Sequence, residues 1–295
     1  MAKIKTSRDS YPLPKLQWRW VGIVFFIIIH VIGLVGAPWY VLRYGVSPPE
    51  LVLFLVWFLG SSLSITVGYH RLFAHATFKT NALVRFVLLF FGSATFEQSA
   101  LKWAAQHRQH HQFTDTDNDP YNIKRGFWYA HVGWILFWKH RVNYDNVPDL
   151  RQSRLVMNQH HLYTVWSVGS GVLVPLAIGL AMGHVLGAFI LAVNLRLVLV
   201  MHSAFFINSY AHMFGSKKFD AGISAGDHWL GAILTNGEGY HNYHHRFPND
   251  YRNGIRWYHW DPSKWLIFSL SKLRLAWDLK RARASVLPSL QTPSK

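Results

Sequence analysis

The sequence predicts an all-α integral membrane protein with four transmembrane helices and a helical cytoplasmic cap. Three observations predict this fold: long apolar runs, an uneven distribution of basic residues, and repeated clusters of histidine. The chain has 295 residues, of which 51% are apolar and 15% are charged, and this composition excludes a disordered chain. It contains no Cys, which excludes disulfide-stapled modules, thiolate metal sites and Cys nucleophiles.

The transmembrane helices are predicted from four apolar runs. The runs at 20–42, 51–69 and 162–183 contain no charged residue, and the fourth, at 185–207, is interrupted by Arg196. About 20 apolar residues cross a bilayer, and buried helices of soluble proteins rarely remain free of charge for so long. The first run is too long for a signal peptide, so we expect it to be retained. The predicted helices cover about residues 20–42, 50–70, 162–183 and 185–207.

The placement of basic residues predicts the orientation in the membrane. The chain has 30 Lys and Arg against 14 Asp and Glu, and the short connections within each helix pair contain Arg43 as their one basic residue. Positive charge concentrates on the cytoplasmic side of a membrane. Both termini and the cap, formed by residues 71–161 and 208–285, are therefore predicted to be cytoplasmic. The basic charge reflects this topology and attraction to anionic headgroups, so no nucleic-acid partner is predicted.

Two aromatic stretches, at residues 86–96 and 127–138, are too short to cross a bilayer. Their Trp, Tyr and Phe side chains suit the headgroup layer, and packing inside the cap is an equally acceptable interpretation. The sequence contains no internal repeat and no linker-bounded segment. We therefore predict a single domain over residues 1–295.

Histidine forms three clusters that follow predicted helices or lie within the cap. The clusters are His70 and His75; His107, His110 and His111; and His241, His244 and His245. Positions i, i+3 and i+4 share one face of a helix, so the second and third clusters can each present three imidazoles in one direction. The first cluster has a five-residue spacing, which needs a helix end or a local distortion.

The predicted topology allows all three clusters to meet. Two crossings return the chain to the cytoplasmic side at residue 70, and two more return it near residue 207. Eight imidazoles are suitable for two metal ions, and neutral nitrogen ligands suit iron, copper, nickel and zinc. The spacing alone does not choose among these metals.

At these residues the sequence resembles the membrane-bound fatty acid desaturases, specifically the stearoyl-CoA (Δ9) group. The resemblance covers roughly residues 15–285, and it implies an oxidoreductase with four membrane helices and a cytoplasmic cap. The implied reaction is O2-dependent desaturation of a saturated fatty acyl chain in unsaturated fatty acid biosynthesis. The matching segments are GYHRLFAH (68–75), HRQHH followed by TDNDP (116–120), RGFWYAHVGW (125–134) and GYHNYHHRFPNDY (239–251).

The resemblance implies two iron ions held by nine His, with O2 as co-substrate. The ninth His lies in an Asn-Ser-x-x-His element at 208–212, where Asn208 is implied to act through a water molecule. Trp103 matches a residue that lines the acyl tunnel of the family. Lys139 matches a residue that meets the CoA phosphates, although an ordinary interfacial Lys is the alternative. The implied ligands are His70, His75, His107, His110, His111, His212, His241, His244 and His245.

Other polar residues receive structural interpretations. Arg196 and His202 lie within the fourth apolar run and are expected to have structural roles. His131 and His140 are expected to make hydrogen bonds in the cap, as are several further His residues. The segment Gly237-Glu238-Gly239 is interpreted as a turn that leads into the third cluster.

One departure from the family concerns the substrate headgroup. Animal acyl-CoA desaturases carry Arg-Asp just before the central His motif, and both residues contact CoA, whereas this sequence has Ala105-Gln106. Acyl-CoA remains the favoured thioester, and acyl-lipid and acyl carrier protein substrates stay open. The membrane helices and the cap occupy the chain, so electrons are expected from a separate ferredoxin, rubredoxin-like or cytochrome b5 type carrier with its reductase. A bacterial inner membrane is favoured over the endoplasmic reticulum.

Two alternatives to desaturation remain. The first is hydroxylation of an acyl chain, a sterol or an alkane at the same kind of di-iron site. The second is a membrane metal-binding or transport protein without enzymatic activity. Transporters place ligating residues near the bilayer midplane, whereas the His clusters lie outside the apolar runs.

Overall fold

The computed structural model describes residues 15–139 and 141–283. His140 and the two ends of the predicted domain therefore lie outside the described residues. Four long helices carry most of the apolar sequence: α1 (Trp20–Tyr44), α2 (Pro48–Ala74), α9 (Tyr163–Ala181) and α10 (Val185–His212). The shorter helices are α3 (Ala82–Ser93), α4 (Ala100–Phe113), α5 (Tyr129–Gly133), α6 (Trp134–Leu136), α7 (Pro148–Arg151), α8 (Arg154–His161), α11 (Trp229–Leu234), α12 (His241–Arg246) and α13 (Pro262–Lys272).

Two short antiparallel strand pairs connect distant parts of the chain. Strand β1 (Lys15–Leu16) pairs with β3 (Trp138–Lys139), and β2 (Lys79–Thr80) pairs with β4 (Ala276–Trp277). The first pair attaches the segment before α1 to the segment after α6. The second pair attaches the chain after α13 to the segment between α2 and α3.

The four long helices confirm the prediction of four membrane-spanning segments. Each is long and apolar enough to cross a bilayer, with a mean hydropathy of 1.7 to 2.5. Their outer surfaces expose large apolar side chains, as Val21 and Leu42 illustrate at 87% and 88% exposure. Such surfaces suit a hydrocarbon environment. Helices α2 and α10 continue four to five residues beyond the predicted ends, so they extend into the cap.

A buried carboxylate organises the end of the bundle opposite the cap. Ser47 and Glu50 form a capping box at the start of α2, where Pro48 occupies the first helical turn. The Glu50 carboxylate also accepts a hydrogen bond from the Tyr40 hydroxyl. Gly187 at the start of α10 leaves room for this group, because a Cβ there would clash with Glu50 Oε1. The connections of both helix pairs therefore meet at one carboxylate.

The cap end of α2 supplies the distortion that the His70–His75 spacing requires. Residues Ser64–Ala74 are π-helical, and the His75 N–H donates to the His70 carbonyl at 3.1 Å. A π-helical turn is wider than an α-helical turn and often occurs at functional sites. It brings positions five residues apart towards the same face. Both rings can therefore point into the cap from one helix end.

The helices that carry the other His residues pack onto this end of α2. Ser99 caps the start of α4 by accepting a hydrogen bond from the Lys102 N–H at 3.3 Å. One face of α4 is buried in the main apolar core with residues of α2, α3 and α8. Helix α3 contains most of the aromatic stretch 86–96, and it exposes the side chains of Leu83, Phe86 and Val87.

Candidate metal centre

Nine His side chains meet in two groups between the end of the helix bundle and the cap. Within each group, one ring nitrogen from each residue lies within 4.8 Å of the corresponding nitrogens of the others. The two groups contain five and four His residues. The five-His group is His70, His75, His107, His111 and His244, and the four-His group is His110, His212, His241 and His245.

The contacts within the five-His group all join Nε2 atoms. His244 Nε2 lies 2.9 Å from His70 Nε2 and 3.0 Å from His111 Nε2. His107 Nε2 lies 3.1 Å from His111 Nε2 and 2.8 Å from His75 Nε2. The four-His group repeats this pattern, with His245 Nε2 at 3.3 Å from His110 and at 3.1 Å from His241, and with His241 at 3.1 Å from His212.

This pattern fits metal ions better than hydrogen bonds between rings. An imidazole Nε2 carries either one hydrogen or one lone pair, yet His107, His111 and His244 each face two other Nε2 atoms. Hydrogen bonds therefore cannot satisfy all of these contacts together. Nitrogen ligands about 2.0–2.1 Å from a metal lie about 3 Å apart when they are adjacent, which matches the observed spacing. The residues present thus fit one cation in each group.

Burial keeps these rings neutral. Desolvation, followed by the charges of neighbouring His residues, lowers the pKa of His107, His111 and His244 well below the usual value. The same causes act on His241 and His245 in the four-His group. A neutral imidazole has a free lone pair, which is the form that binds a metal ion.

Glu238 fixes the tautomer of His70. Its Oε2 atom lies 2.9 Å from His70 Nδ1, so Nδ1 carries the hydrogen and Nε2 keeps its lone pair. Arg71 and Asn253 donate to the same carboxylate at 3.1 and 2.6 Å. Burial opposes ionisation of Glu238, but His70 and Arg71 outweigh burial and hold its pKa below the usual value. Arg71 also contacts Asp261 at 3.0 Å.

Two residues of the four-His group have similar partners. Asp119 Oδ1 lies 2.8 Å from His110 Nδ1. Ser224 Oγ lies 2.7 Å from His212 Nδ1, and the Ser224 hydroxyl and N–H both donate to Asp115. Because Ser224 donates to a carboxylate, it accepts from His212, whose Nε2 therefore keeps its lone pair.

An apolar cavity ends at the five-His group. It has a volume of about 620 Å³, including space open to solvent, and it runs between α2, α10 and the α5–α6 segment. Trp103 forms part of its wall and stacks on His107, with centroids 4.8 Å apart and planes at 22°. Asn208 lines the same cavity, as do Ile65 and Phe205. The cavity therefore brings apolar walls up to His70 and His107 of the five-His group.

The comparisons with known proteins agree with this site. A sequence model of the fatty acid desaturase family matches residues 48–269, which is more than half of the chain. The chain belongs to the fatty acid desaturase family.

Named relatives of this desaturase-family chain differ in length and in headgroup. A probable acyl-CoA desaturase of Schizosaccharomyces pombe is 42% identical over 268 residues, covering 90% of this chain and 54% of the relative. The chain thus spans about half the length of that relative. Stearoyl-CoA desaturase 4 of Mus musculus is 32% identical, covering 95% and 80%. An sn-2 palmitoyl-lipid 9-desaturase of Nostoc is 34% identical, covering 88% and 90%.

The cavity of this desaturase-family chain also contains a buried acid that the sequence analysis did not single out. Glu97 is 7% exposed, and its Oε1 has no hydrogen-bond partner among the described residues. Burial raises its pKa to about 8, although a hydrogen bond with Trp103 acts in the opposite direction. The residues on either side, Phe96 and Gln98, have φ angles of 59° and 79°, a strained conformation that often marks functional sites. An acid directly after the aromatic stretch 86–96 was the available signal.

Lys139 lies at a different place from the other predicted site residues. It is exposed in β3, directly opposite Lys15 of β1. It does not line the cavity, although Trp134 and Ile135, which precede it, do so. The structure thus separates Lys139 from the His groups and places it a few residues after cavity-lining positions.

Three further His residues form a chain of hydrogen bonds beside the cavity. His202 Nε2 lies 2.9 Å from His30 Nε2, and His202 Nδ1 lies 2.9 Å from His131 Nε2. His131 Nδ1 continues to Ser209 Oγ at 2.9 Å, and His30 Nδ1 lies 2.6 Å from the Phe26 carbonyl. This three-His chain connects α1, α10 and α5, which agrees with the structural role expected for His202.

The partners of the His Nδ1 atoms are the main feature that the sequence analysis missed. Glu238 was interpreted as part of a turn, and Gly237 does have the positive φ of such a turn, 99°. The carboxylate nevertheless contacts Nδ1 of His70, which lies 168 positions earlier in the chain. Asp119 belongs to the TDNDP segment beside the second cluster, so acids next to the His motifs were the available signal.

Proposed function

We propose that this chain catalyses the O2-dependent desaturation of a saturated fatty acyl chain. The observation that carries the proposal is the convergence of His Nε2 atoms in two groups at the end of an apolar cavity. The relatives named acyl-CoA, stearoyl-CoA and palmitoyl-lipid desaturases support the same reaction. In the balanced reaction, the acyl chain, O2, two electrons and two protons give the unsaturated chain and two waters.

We assign the metal ligands to the two His groups. His70, His75, His107, His111 and His244 would hold one iron, and His110, His212, His241 and His245 would hold the other, with Asn208 acting through a water. A bound iron pair supplies the oxidation of an unactivated C–H bond, which no side chain of the protein can perform.

The chain's own residues position the substrate. Trp103 stacks on His107 and limits how the ligand can approach the five-His group. Ile65 and Phe205 provide apolar walls that exclude water and hold one pair of methylenes beside the site. Regioselectivity then follows from this positioning, and the Δ9 position is assigned by the family resemblance.

The basic side chains around β1 and β3 favour a phosphate-bearing headgroup such as CoA. Lys15 and Lys139 face each other across β1 and β3, and the Arg19 N–H donates to the Leu136 carbonyl at 2.9 Å. Lys102 precedes the cavity residue Trp103, and burial together with the charge of Arg19 lowers its pKa. Uncompensated like charges that lie close together attract anions, and they offer a substitute for the family's Arg-Asp pair.

The membrane orientation is part of the proposal. The cap carries most of the basic residues, so it belongs on the cytoplasmic side by the positive-inside rule. This orientation places the His groups within reach of soluble cytoplasmic electron carriers and CoA thioesters.

Product analysis tests the proposed reaction. Purified, iron-loaded and reduced protein is incubated with palmitoyl-CoA or stearoyl-CoA and O2, and the acyl products are analysed by mass spectrometry. Loss of two mass units supports desaturation, and gain of sixteen supports the hydroxylase alternative. Iron binding without any product would instead favour a non-enzymatic metal-binding protein. The same assay with palmitoyl-lipid distinguishes the headgroups.

A further inference from the structure

The two metal groups approach the cap surface together at a stacked pair of rings. The centroids of His111 and His245 are 4.2 Å apart, and their planes lie at 18°. His111 belongs to the five-His group and His245 to the four-His group. Both rings are partly exposed, whereas His107 and His110 are buried. One place on the surface therefore lies a single imidazole away from both groups.

Three exposed cations, Lys217, Lys218 and Arg246, lie on α12 or on the loop packed against it, and we call them the basic patch. Arg246 directly follows His245 on α12. None of the three forms an ion pair with a described residue, and the neighbouring acids are Asp220 and the partly buried Asp227, on which Lys218 acts electrostatically. The patch therefore has three cations against two acids, and it keeps an excess of positive charge.

Packing holds the two parts of the basic patch together. The Phe219 N–H donates to Asn242 Oδ1 on α12 at 2.8 Å. The ring centroids of Phe219 and Phe247 are 6.2 Å apart. The Arg246 guanidinium lies 6.0 Å from the centroid of the same Phe247 ring. The loop that carries Lys217 and Lys218 is thus fixed against the helix that carries Arg246 and His245.

Other cations near the His groups are already compensated. Arg108 forms a bidentate pair with Asp149 at 2.7 and 2.8 Å. Arg125 contacts Asp117 at 3.5 Å. These two arginines therefore add little free positive charge, unlike the cations of the basic patch.

We propose that the basic patch and the stacked His111–His245 pair form the docking surface for a small acidic one-electron carrier protein. The inference rests on the proposed function, because each turnover needs two electrons. Two reduced carriers would each lose one electron and become oxidised, and the two electrons would go to iron held by the two His groups. Redox encounters use small, transient interfaces, in which charge complementarity mainly raises the association rate.

Charge reversal at the patch tests this docking surface. The double variant Lys217→Glu/Arg246→Glu is compared with the parent protein, and Lys272→Glu on α13 is the matched exposed control. The probes are reduced plant-type ferredoxin and the reduced soluble domain of cytochrome b5. We expect carrier oxidation by the iron-loaded double variant to slow at least about tenfold at low salt. The difference should shrink above physiological ionic strength because salt screens exposed charges.

A small cationic reductant separates docking from damage to the metal site. Reduced methyl viologen should reduce the double variant at least as fast as the parent protein. Binding of the oxidised carriers, measured by surface plasmon resonance at low salt, should weaken about tenfold in the double variant and stay unchanged in Lys272→Glu. Equal carrier rates in the double variant and the parent, or an equal slowing with viologen, would overturn the proposal.

Lipid composition and product formation complete the test. If the charge effect occurs in nanodiscs of anionic lipid and disappears in neutral nanodiscs, the patch binds headgroups and the docking proposal fails. The docking proposal can also fail alone. If charge reversal leaves the rate of carrier oxidation unchanged but the protein forms product with viologen, the desaturase function still stands. Absence of product with every reductant, despite normal carrier binding, counts against the desaturase function alone.

Discussion

Histidine residues meet in two regions of this molecule, and the regions differ in which nitrogens face each other. In the metal centre every ring contact joins two Nε2 atoms, and rings such as His107 face two others at once. In the three-His chain, His202 uses Nε2 towards His30 and Nδ1 towards His131. The first arrangement leaves lone pairs that converge, whereas the second connects rings end to end. Geometry rather than His content therefore distinguishes a metal site from structural hydrogen bonding.

The largest expected effect comes from removing one ring from each metal group. We expect His110→Ala and His244→Ala each to abolish turnover and to lower the iron content, because each group loses a ligand. Iron is measured by plasma mass spectrometry on the purified protein, and turnover is measured by acyl product analysis. The control is His202→Asn, which replaces a His residue outside the metal centre. Full activity in both alanine variants would refute the ligand assignment.

The second prediction concerns a carboxyl group that, unlike Glu238, has no imidazole partner. The Glu97 carboxyl has a pKa of about 8 in the folded protein and an ordinary value of 4.5. Between these values the folded state binds more protons than the unfolded state, so stability falls as pH rises from about 4.5 to about 8. Glu97→Gln should remove this pH-dependent fall in the free energy of unfolding, which is on the order of a few kcal/mol. Thermal unfolding across this pH range should show a stabilised variant at pH 7.5 and no difference near pH 4.5.

The third prediction weakens the metal centre without removing a ring. Glu238→Gln keeps the shape of the side chain but loses the charge that fixes His70, and outer partners of this kind affect metal affinity about 10–100-fold. Competition with a chelator should show weaker iron retention by about that factor. Asp278→Asn is the control, because that carboxylate pairs with Lys79 at the surface. Unchanged retention in Glu238→Gln would show that the contact is dispensable.

The smallest expected effect is in the three-His chain. His202→Leu leaves His30 and His131 without their shared partner, and polar contacts of this kind within membranes contribute on the order of 1 kcal/mol. Thermal stability should fall by that amount while iron content stays unchanged. His202→Asn should recover part of the stability. Loss of iron in His202→Leu would contradict the distinction between the two regions.

The four membrane helices and the faces of the His clusters could be predicted because both depend on local sequence patterns. Apolar runs gave the helices, and the i, i+3, i+4 spacing placed His107, His110 and His111 on one face of α4. The division into five and four rings could not be predicted, because His107 and His110 of the same helix belong to different groups. A small rotation of α4 relative to α12 decides which rings face each other.

The sequence by itself determined the helical membrane class, the approximate ends of the helices and the residue types that can bind metal, because hydrophobicity and periodicity act over neighbouring residues. The tertiary structure decided the pairing of Glu238 with His70, the stacking of His111 on His245 and the cavity beside Trp103. These features join positions far apart in the chain. They depend on how helices pack, which a local pattern does not encode.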